Sequence, residues 1–145
     1  MDIARVVEFA SNHWILTSGY FLVFALIVQD FYDALTSRHK GITPTAAVQL
    51  LNDERTVVID VREPHEFAKG HIENAKSFPL GSLDDKMFTL EQYKEVPVIV
   101  TCEQGTRSLM ACKKLTKRGF TQVNELKGGM QAWGDAKLPI AVKKK

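Results

Sequence analysis

The chain has 145 residues, with 25% charged and 45% apolar positions and a formal net charge of +2, which suits one modest domain and excludes a strongly basic nucleic-acid-binding protein. Two cysteines, Cys102 and Cys112, are too few for a disulfide framework and point to a reducing compartment. The four histidines (His13, His39, His65, His71) are scattered, and no Cys or His pair has structural zinc spacing, so neither a metal nor another cofactor is expected.

Residues 1–8 form a short tail. Residues 9–29 carry no formal charge with His13 neutral, and as a helix they reach about 31 Å, close to the ~30 Å hydrocarbon thickness of a bilayer. Trp14 near one end and Tyr32 beyond the other suit interfacial positions. The start, MDIARVVEF, has one Arg, and no small-residue cleavage pattern follows the apolar run, which argues against a cleaved signal peptide. The near absence of a polar face argues against a buried soluble helix. The expectation is an uncleaved single-pass anchor. Arg38 and Lys40 on its C-terminal side, against Arg5 before it, orient the remainder of the chain toward the cytoplasm. Residues 30–41 read as a polar juxtamembrane connector, residues 42–142 as a folded domain, and residues 143–145 as a solvated basic tail.

Within the domain, Thr43 is a good N-cap and Pro44 suits a first helical position, with Ala46, Ala47, Leu50 and Leu51 at helical spacing and Asn52-Asp53 ending the helix. Residues 56–61 (TVVIDV) predict a strand covered on both faces, broken by Arg62-Glu63-Pro64. A helical turn over 66–69 should end at Gly70 as a left-handed cap. Residues 75–80 predict a second strand, closed by Pro79. A polar stretch follows, with a helix around 83–87. Residues 96–101 predict a third strand and 109–118 a helix, on which Ser108, Ala111, Cys112 and Leu115 form one stripe and after which Gly119 caps. Residues 122–126 predict a fourth strand, Gly128-Gly129 a turn, and 130–134 a short helix carrying Trp133. Strands alternating with helices give an α/β fold with a mainly parallel sheet.

The chemistry gathers in Thr101 to Ser108, TCEQGTRS. Here Cys102 stands where a strand ends and a helix begins. Backbone N–H groups of such a turn converge on one point, and the helix end adds partial positive charge, so a thiolate or a terminal anionic sulfur is stabilised there. Cys102 is the candidate nucleophile, and Glu103, Gln104, Gly105, Thr106, Arg107 and Ser108 are the candidate cradle. Arg107 either binds the substrate anion or only pins the loop; binding is favoured because the helix start otherwise lacks a full cation. Asp60 and Arg62 end the strand beside this loop and are expected to support it through a salt bridge, for instance of Arg62 with Glu66. Cys112 is expected to pack against the sheet, His71 and Trp133 to be structural, and Gly128-Gly129 lacks the other glycines of a nucleotide loop.

The string VVIDVREPHEFAKGHIENAKSFPL resembles the first signature of rhodanese-type sulfurtransferase domains, and VPVIVTCEQGTRSLMACKKLTKRGFTQVNELKGGMQAWGDAKLP resembles the second half of the same domain. The likeness covers about residues 41–142 and implies a rhodanese-like three-layer α/β fold preceded by one transmembrane helix, the layout of membrane-tethered single-domain rhodaneses of the bacterial inner membrane. It implies a persulfide mechanism: Cys102 takes sulfane sulfur from thiosulfate or another persulfide and hands it to a thiol acceptor. The partners implied are a sulfur donor and a thiol acceptor, the lipid bilayer and other inner-membrane proteins. Four residues separate Cys102 from Arg107, one fewer than in related phosphatase-like and arsenate-reductase-like loops, which suits sulfur. Glu103 departs from the basic or neutral residue common there in thiosulfate-active members, so poor thiosulfate turnover and an organic or protein-borne persulfide donor are expected. The alternative is a non-catalytic rhodanese-like interaction module at the membrane.

Overall fold

The computed structural model describes residues 13–36 and 39–142, and the chain divides into two units, residues 1–37 and 38–145. In the first unit, helix α1 spans Trp14–Thr36. Its polar residues near the start are absorbed by the helix itself: the Thr17 hydroxyl donates to the His13 carbonyl (2.9 Å) and the Ser18 hydroxyl to that of Ile15 (3.0 Å). Trp14, Ile15, Leu16, Tyr20, Phe21, Leu22, Val23, Phe24, Leu26, Ile27 and Val28 are all exposed, so the helix up to Val28 presents a largely apolar surface. Among the described residues no helix is long and apolar enough to cross a membrane. The expected span over 9–29 is thus not met by the described part of α1: residues 9–12 lie outside the described residues, and residues 14–28 reach only about 22 Å.

The second unit is built on a five-stranded sheet of β1 (Lys40–Ile42), β2 (Val57–Asp60), β3 (Lys76–Ser77), β4 (Val98–Thr101) and β5 (Val123–Leu126), in the order β1-β5-β4-β2-β3. Every pairing is parallel. The helices are α2 (Pro44–Leu51), α3 (Pro64–Lys69), α4 (Met87–Leu90), α5 (Thr106–Lys117) and α6 (Gly129–Asp135), with 3-10 turns at Leu80–Ser82 and Glu91–Tyr93. Side chains alternate across the sheet. Ile59, Val98, Val100 and Val123 pack on one face with Leu83, Met87 and Leu90 and with Ala111, Cys112 and Leu115 of α5. Val58, Ile99 and Leu126 pack on the other with Ala47 of α2 and Met130 and Trp133 of α6. The result is a three-layer α/β domain with a parallel central sheet.

Several elements differ from expectation, each for a local reason. The last residues of the 30–41 stretch are no connector: Lys40–Ile42 add a strand at the sheet edge beside Asn124, Glu125 and Leu126. The stretch's earlier residues, to Thr36, continue α1. The strand expected over 75–80 shrinks to two residues, because Pro79 has no N–H to give a ladder. Phe78 and Leu80 still donate to the carbonyls of Asp60 (2.9 Å) and Val61 (3.1 Å). The helix around 83–87 is replaced by a 3-10 turn and α4, which together bury Leu83, Met87 and Leu90. Gly70 is extended (φ 161°) rather than left-handed. Gly119 does take a left-handed conformation, φ +92°, after α5.

This strand order creates a crevice. From β2 the chain moves outward to β3, and from β4 it moves the opposite way to β5. The connections after β2 and β4 therefore diverge at their carboxyl ends, the place where open parallel sheets bind ligands. The segment from Arg62 to α3 and the loop beginning at Cys102 border that gap.

Candidate active site

The backbone around Cys102 is fixed from both sides. Val61 N–H donates to the Thr101 carbonyl (2.9 Å), carrying the β2–β4 pairing past the strand ends. At the start of α6, the N–H groups of Met130 and Gln131 donate to the carbonyls of Cys102 (2.7 Å) and Glu103 (3.0 Å). This approach needs glycine at 129: its φ is +58°, and a Cβ there would collide with the Cys102 carbonyl and lie 2.7 Å from that of Glu103.

Inside the loop, Gly105 (φ +107°) turns its N–H onto Cys102 Sγ at 3.1 Å. The thiol is 3.5 Å from Ser108 Oγ, toward which it donates. The Ser108 hydroxyl in turn is shared between the Gly105 carbonyl (2.7 Å) and Glu125 Oε1 (3.4 Å). Helix α5 begins at Thr106, earlier than the expected 109, so the sulfur stands directly before the first turn of a 12-residue helix. Cys102 belongs to the wall of a pocket of ≈ 230 Å³ that Glu103, Gln104, Thr106 and Arg107 also line, although Cys102 itself is only 1% exposed. Of the candidate cradle residues, Gly105 and Ser108 contact the sulfur, Glu103, Gln104, Thr106 and Arg107 line the opening, and among the described residues Gly105 supplies the one backbone N–H bonded to Sγ.

Asp60 and Arg62 sit beside this loop, but the expected ion-pair partner is corrected. Arg62 does not meet Glu66. Its Nε donates to both Asp60 oxygens (3.1 and 3.0 Å), Nη2 to Asp60 Oδ2 (2.8 Å) and the Gly70 carbonyl (2.7 Å), and Nη1 to Glu103 Oε2 (3.0 Å). Asp60 and Arg62 are two apart at the end of an extended strand, so they share a face, and both are buried. Burial acts to lower the basicity of Arg62, and its bonds to Asp60 and Glu103 more than reverse this. Glu66 instead turns toward α5, where both its oxygens accept from Arg107 (2.7 and 2.8 Å). These hydrogen bonds hold the Glu66 carboxyl at about 2 and raise the Arg107 guanidinium above its ordinary value. Glu66 also caps α3, accepting the Glu63 N–H at 2.9 Å.

Cys112 is fully buried on α5, and burial pushes its thiol far above the usual range, so it packs rather than reacts. His71 is held by the Phe67 carbonyl at Nδ1 (2.9 Å), stacks on the Phe67 ring and pairs with Ala141. Among the described residues no group of three or more His, Cys, Asp or Glu side chains could hold a metal ion. Sequence reasoning missed Glu125 and Gly129 as parts of the site, and it named Glu66 with the wrong arginine. Glu66 had a legible signal, the Glu63…Glu66 capping pattern, and Glu125 a weaker one, the single charge in an otherwise uncharged strand.

A thiol at the carboxyl edge of the central strand of a three-layer parallel domain, taking a backbone N–H from a tight loop that opens a helix, defines a cysteine-loop α/β domain. The chain belongs to the rhodanese family: the family model described as a rhodanese-like domain matches residues 43–136. It is 33% identical to the YibN protein of Escherichia coli (strain K12) over 137 residues, 94% of this chain and 96% of that one. It is 35% identical to the thiosulfate sulfurtransferase GlpE of Pseudomonas putida over 97 residues, 67% of this chain and 86% of the relative. A solution structure of the polysulfide-sulfur transferase homodimer from Wolinella succinogenes superposes with a TM-score of 0.64 at 27% identity, covering 83% of this chain and 91% of that one.

Proposed function

We propose that the chain is a membrane-anchored sulfurtransferase that moves sulfane sulfur from a persulfide donor, through a Cys102 persulfide, to a thiol acceptor. The observation that carries the reading is the Gly105 N–H on Cys102 Sγ, at a pocket that opens beside the sulfur. The Cys102 thiolate attacks the outer sulfur of a donor R–S–S⁻. A bond forms between Sγ and that sulfur while the donor S–S bond breaks, and R–S⁻ leaves with the electron pair. An acceptor thiolate then attacks the outer sulfur of the Cys102 persulfide, and Cys102 departs as a thiolate. Two easy displacements replace one hard transfer, and neither needs an external oxidant or reductant. The Gly105 N–H and the start of α5 stabilise the Cys102 thiolate.

Sulfurtransferases among the relatives, including GlpE and the Wolinella protein, support the enzymatic reading over a non-catalytic module. The exposed apolar residues of α1 from Tyr20 to Val28 and the uncharged sequence over 9–29 support the anchor, with the rhodanese domain on the cytoplasmic side of a bacterial inner membrane.

One experiment tests both parts. Membranes from cells expressing the full chain are washed with alkaline carbonate, the pellet is incubated with cysteine persulfide, and intact mass is measured before and after addition of a thiol. We expect the chain in the pellet, a gain of one sulfur on Cys102, its loss to the thiol, and no gain in Cys102→Ser. A chain released by carbonate refutes the anchor, and a chain that never takes up sulfur is an interaction module.

A further inference from the structure

We infer that Glu66 and Glu125 set the charge of the Cys102 pocket, so that it admits persulfide donors on uncharged or cationic carriers and turns away dianions such as thiosulfate. The substrate part of this inference rests on the sulfurtransferase reading; the electrostatic part does not. The sequence alone places the repulsion on Glu103, yet Glu103 is held by Arg62. Two other carboxylates stand close behind the pocket lining, Glu66 on Arg107 and Glu125 on Ser108.

Glu66 occupies both terminal nitrogens of Arg107, so the cation beside the pocket is already spent on a carboxylate from α3. Glu125 lies behind the loop. Its Oε1 accepts from the Ser108 hydroxyl that the Cys102 thiol faces, and it lies 3.4 Å from where a Cβ on Gly105 would stand. Among the described residues no Lys or Arg forms an ion pair with Glu125. Four carboxylates (Asp60, Glu66, Glu103, Glu125) therefore stand in the bonded network around the Cys102 loop against two guanidiniums (Arg62, Arg107), a formal balance of −2 before the sulfur itself ionises. Arg62 cannot be lent to a substrate, since it is buried on Asp60, the Gly70 carbonyl and Glu103. Among the described residues that line this pocket, the cation a dianion meets is Arg107, already paired with Glu66. A donor whose only charge near the reacting bond is the sulfur brings less negative charge into this balance.

Alkylation of Cys102 reads this charge without any sulfur chemistry. Iodoacetate and iodoacetamide each lose iodide to the same thiolate and differ by one negative charge. Their rate ratio cancels the thiolate fraction and reports the field at Sγ. In the full chain in detergent, Glu66→Gln and Glu125→Gln should each raise the iodoacetate-to-iodoacetamide ratio about fivefold, the effect of one unit charge several ångströms away in a partly aqueous site. Each should also raise kcat/KM for thiosulfate more than for cysteine persulfide. Glutamine keeps the size of each side chain and can still cap α3, and thermal midpoints identify a variant that has merely loosened. A ratio within twofold of the parent in both folded variants overturns the inference. A changed ratio with no sulfur transfer from any donor leaves the electrostatics standing and removes the sulfurtransferase reading instead.

Discussion

Replacing Arg62 by Met would be among the most damaging changes in the domain away from the reacting sulfur. Arg62 is 4% exposed and Asp60 0% exposed. Met fills much of the same volume but removes every side-chain donor to the Asp60 carboxylate, leaving it only the backbone N–H of residue 62 at 3.0 Å. Breaking one side of a buried ion pair costs about 3–5 kcal/mol, because the other charge stays in place without compensation. The Glu103 contact adds little, since that side chain is 48% exposed and such pairs contribute below about 1 kcal/mol. With a urea dependence of about 1.5 kcal/mol/M, the midpoint of unfolding followed by tryptophan fluorescence should fall by about 2–3 M in Arg62→Met and by less than about 0.7 M in Glu103→Ala. Removing the second charge as well, in Asp60→Asn with Arg62→Met, should recover more than half of the loss. A midpoint shift below 0.5 M in Arg62→Met, or a double variant as weak as the single one, would refute the reasoning that these two groups compensate each other's burial.

Two further outcomes follow from the geometry. Gly129→Ala combines a left-handed backbone with a Cβ driven into the carbonyls of Cys102 and Glu103, so it should destabilise by about 3 kcal/mol or more and slow persulfide formation on Cys102; unchanged loading kinetics would show that α6 does not set the loop. The Glu66–Arg107 pair should give an acid-sensitive increment. With the Glu66 carboxyl near 2 in the folded chain against an ordinary value of 4.5, its stabilisation is complete above about pH 4.5 and is lost as pH falls toward 2. Because Arg107 is 31% exposed, we expect only about 1 kcal/mol. The difference in urea midpoint between the parent and Glu66→Gln should therefore shrink between pH 6 and pH 3, and a difference that does not change with pH would remove the pair as its cause.

Where the sequence spoke through strong local physics, the architecture could be read from it. The apolar runs at 57–60 and 98–101 become the two inner strands flanking the crevice, and Thr43-Pro44 begins a helix whose cap accepts the Ala46 N–H. What stayed hidden depends on contacts between distant segments. Lys40–Ile42 has no strand pattern of its own and exists because β5 offers it an edge. The partner of Arg62 could not be read from spacing, since Glu66 is near in sequence but is carried by α3 to Arg107, which lies 41 residues away. Gly129 looked like half of a turn, and only the approach of α6 to the Cys102 loop reveals why a side chain is excluded there.

The arrangement also bears on what the arginines do. In a pocket whose cations were free, a bound anion would be held by charge, and the balance would change each time the sulfur gained or lost its terminal atom. Here both guanidiniums are committed to carboxylates, and the direct polar contacts to the sulfur are an amide N–H and a hydroxyl. A persulfide places its outer sulfur about 2 Å beyond Sγ, into the space lined by Gln104 and Thr106. In this structure the arginines join elements of the fold: Arg62 ties the end of β2 to Glu103, and Arg107 ties α5 to α3. In the proposed reaction the loop they hold in place serves the thiolate and the persulfide alike, as a carrier that both accepts and surrenders sulfur requires.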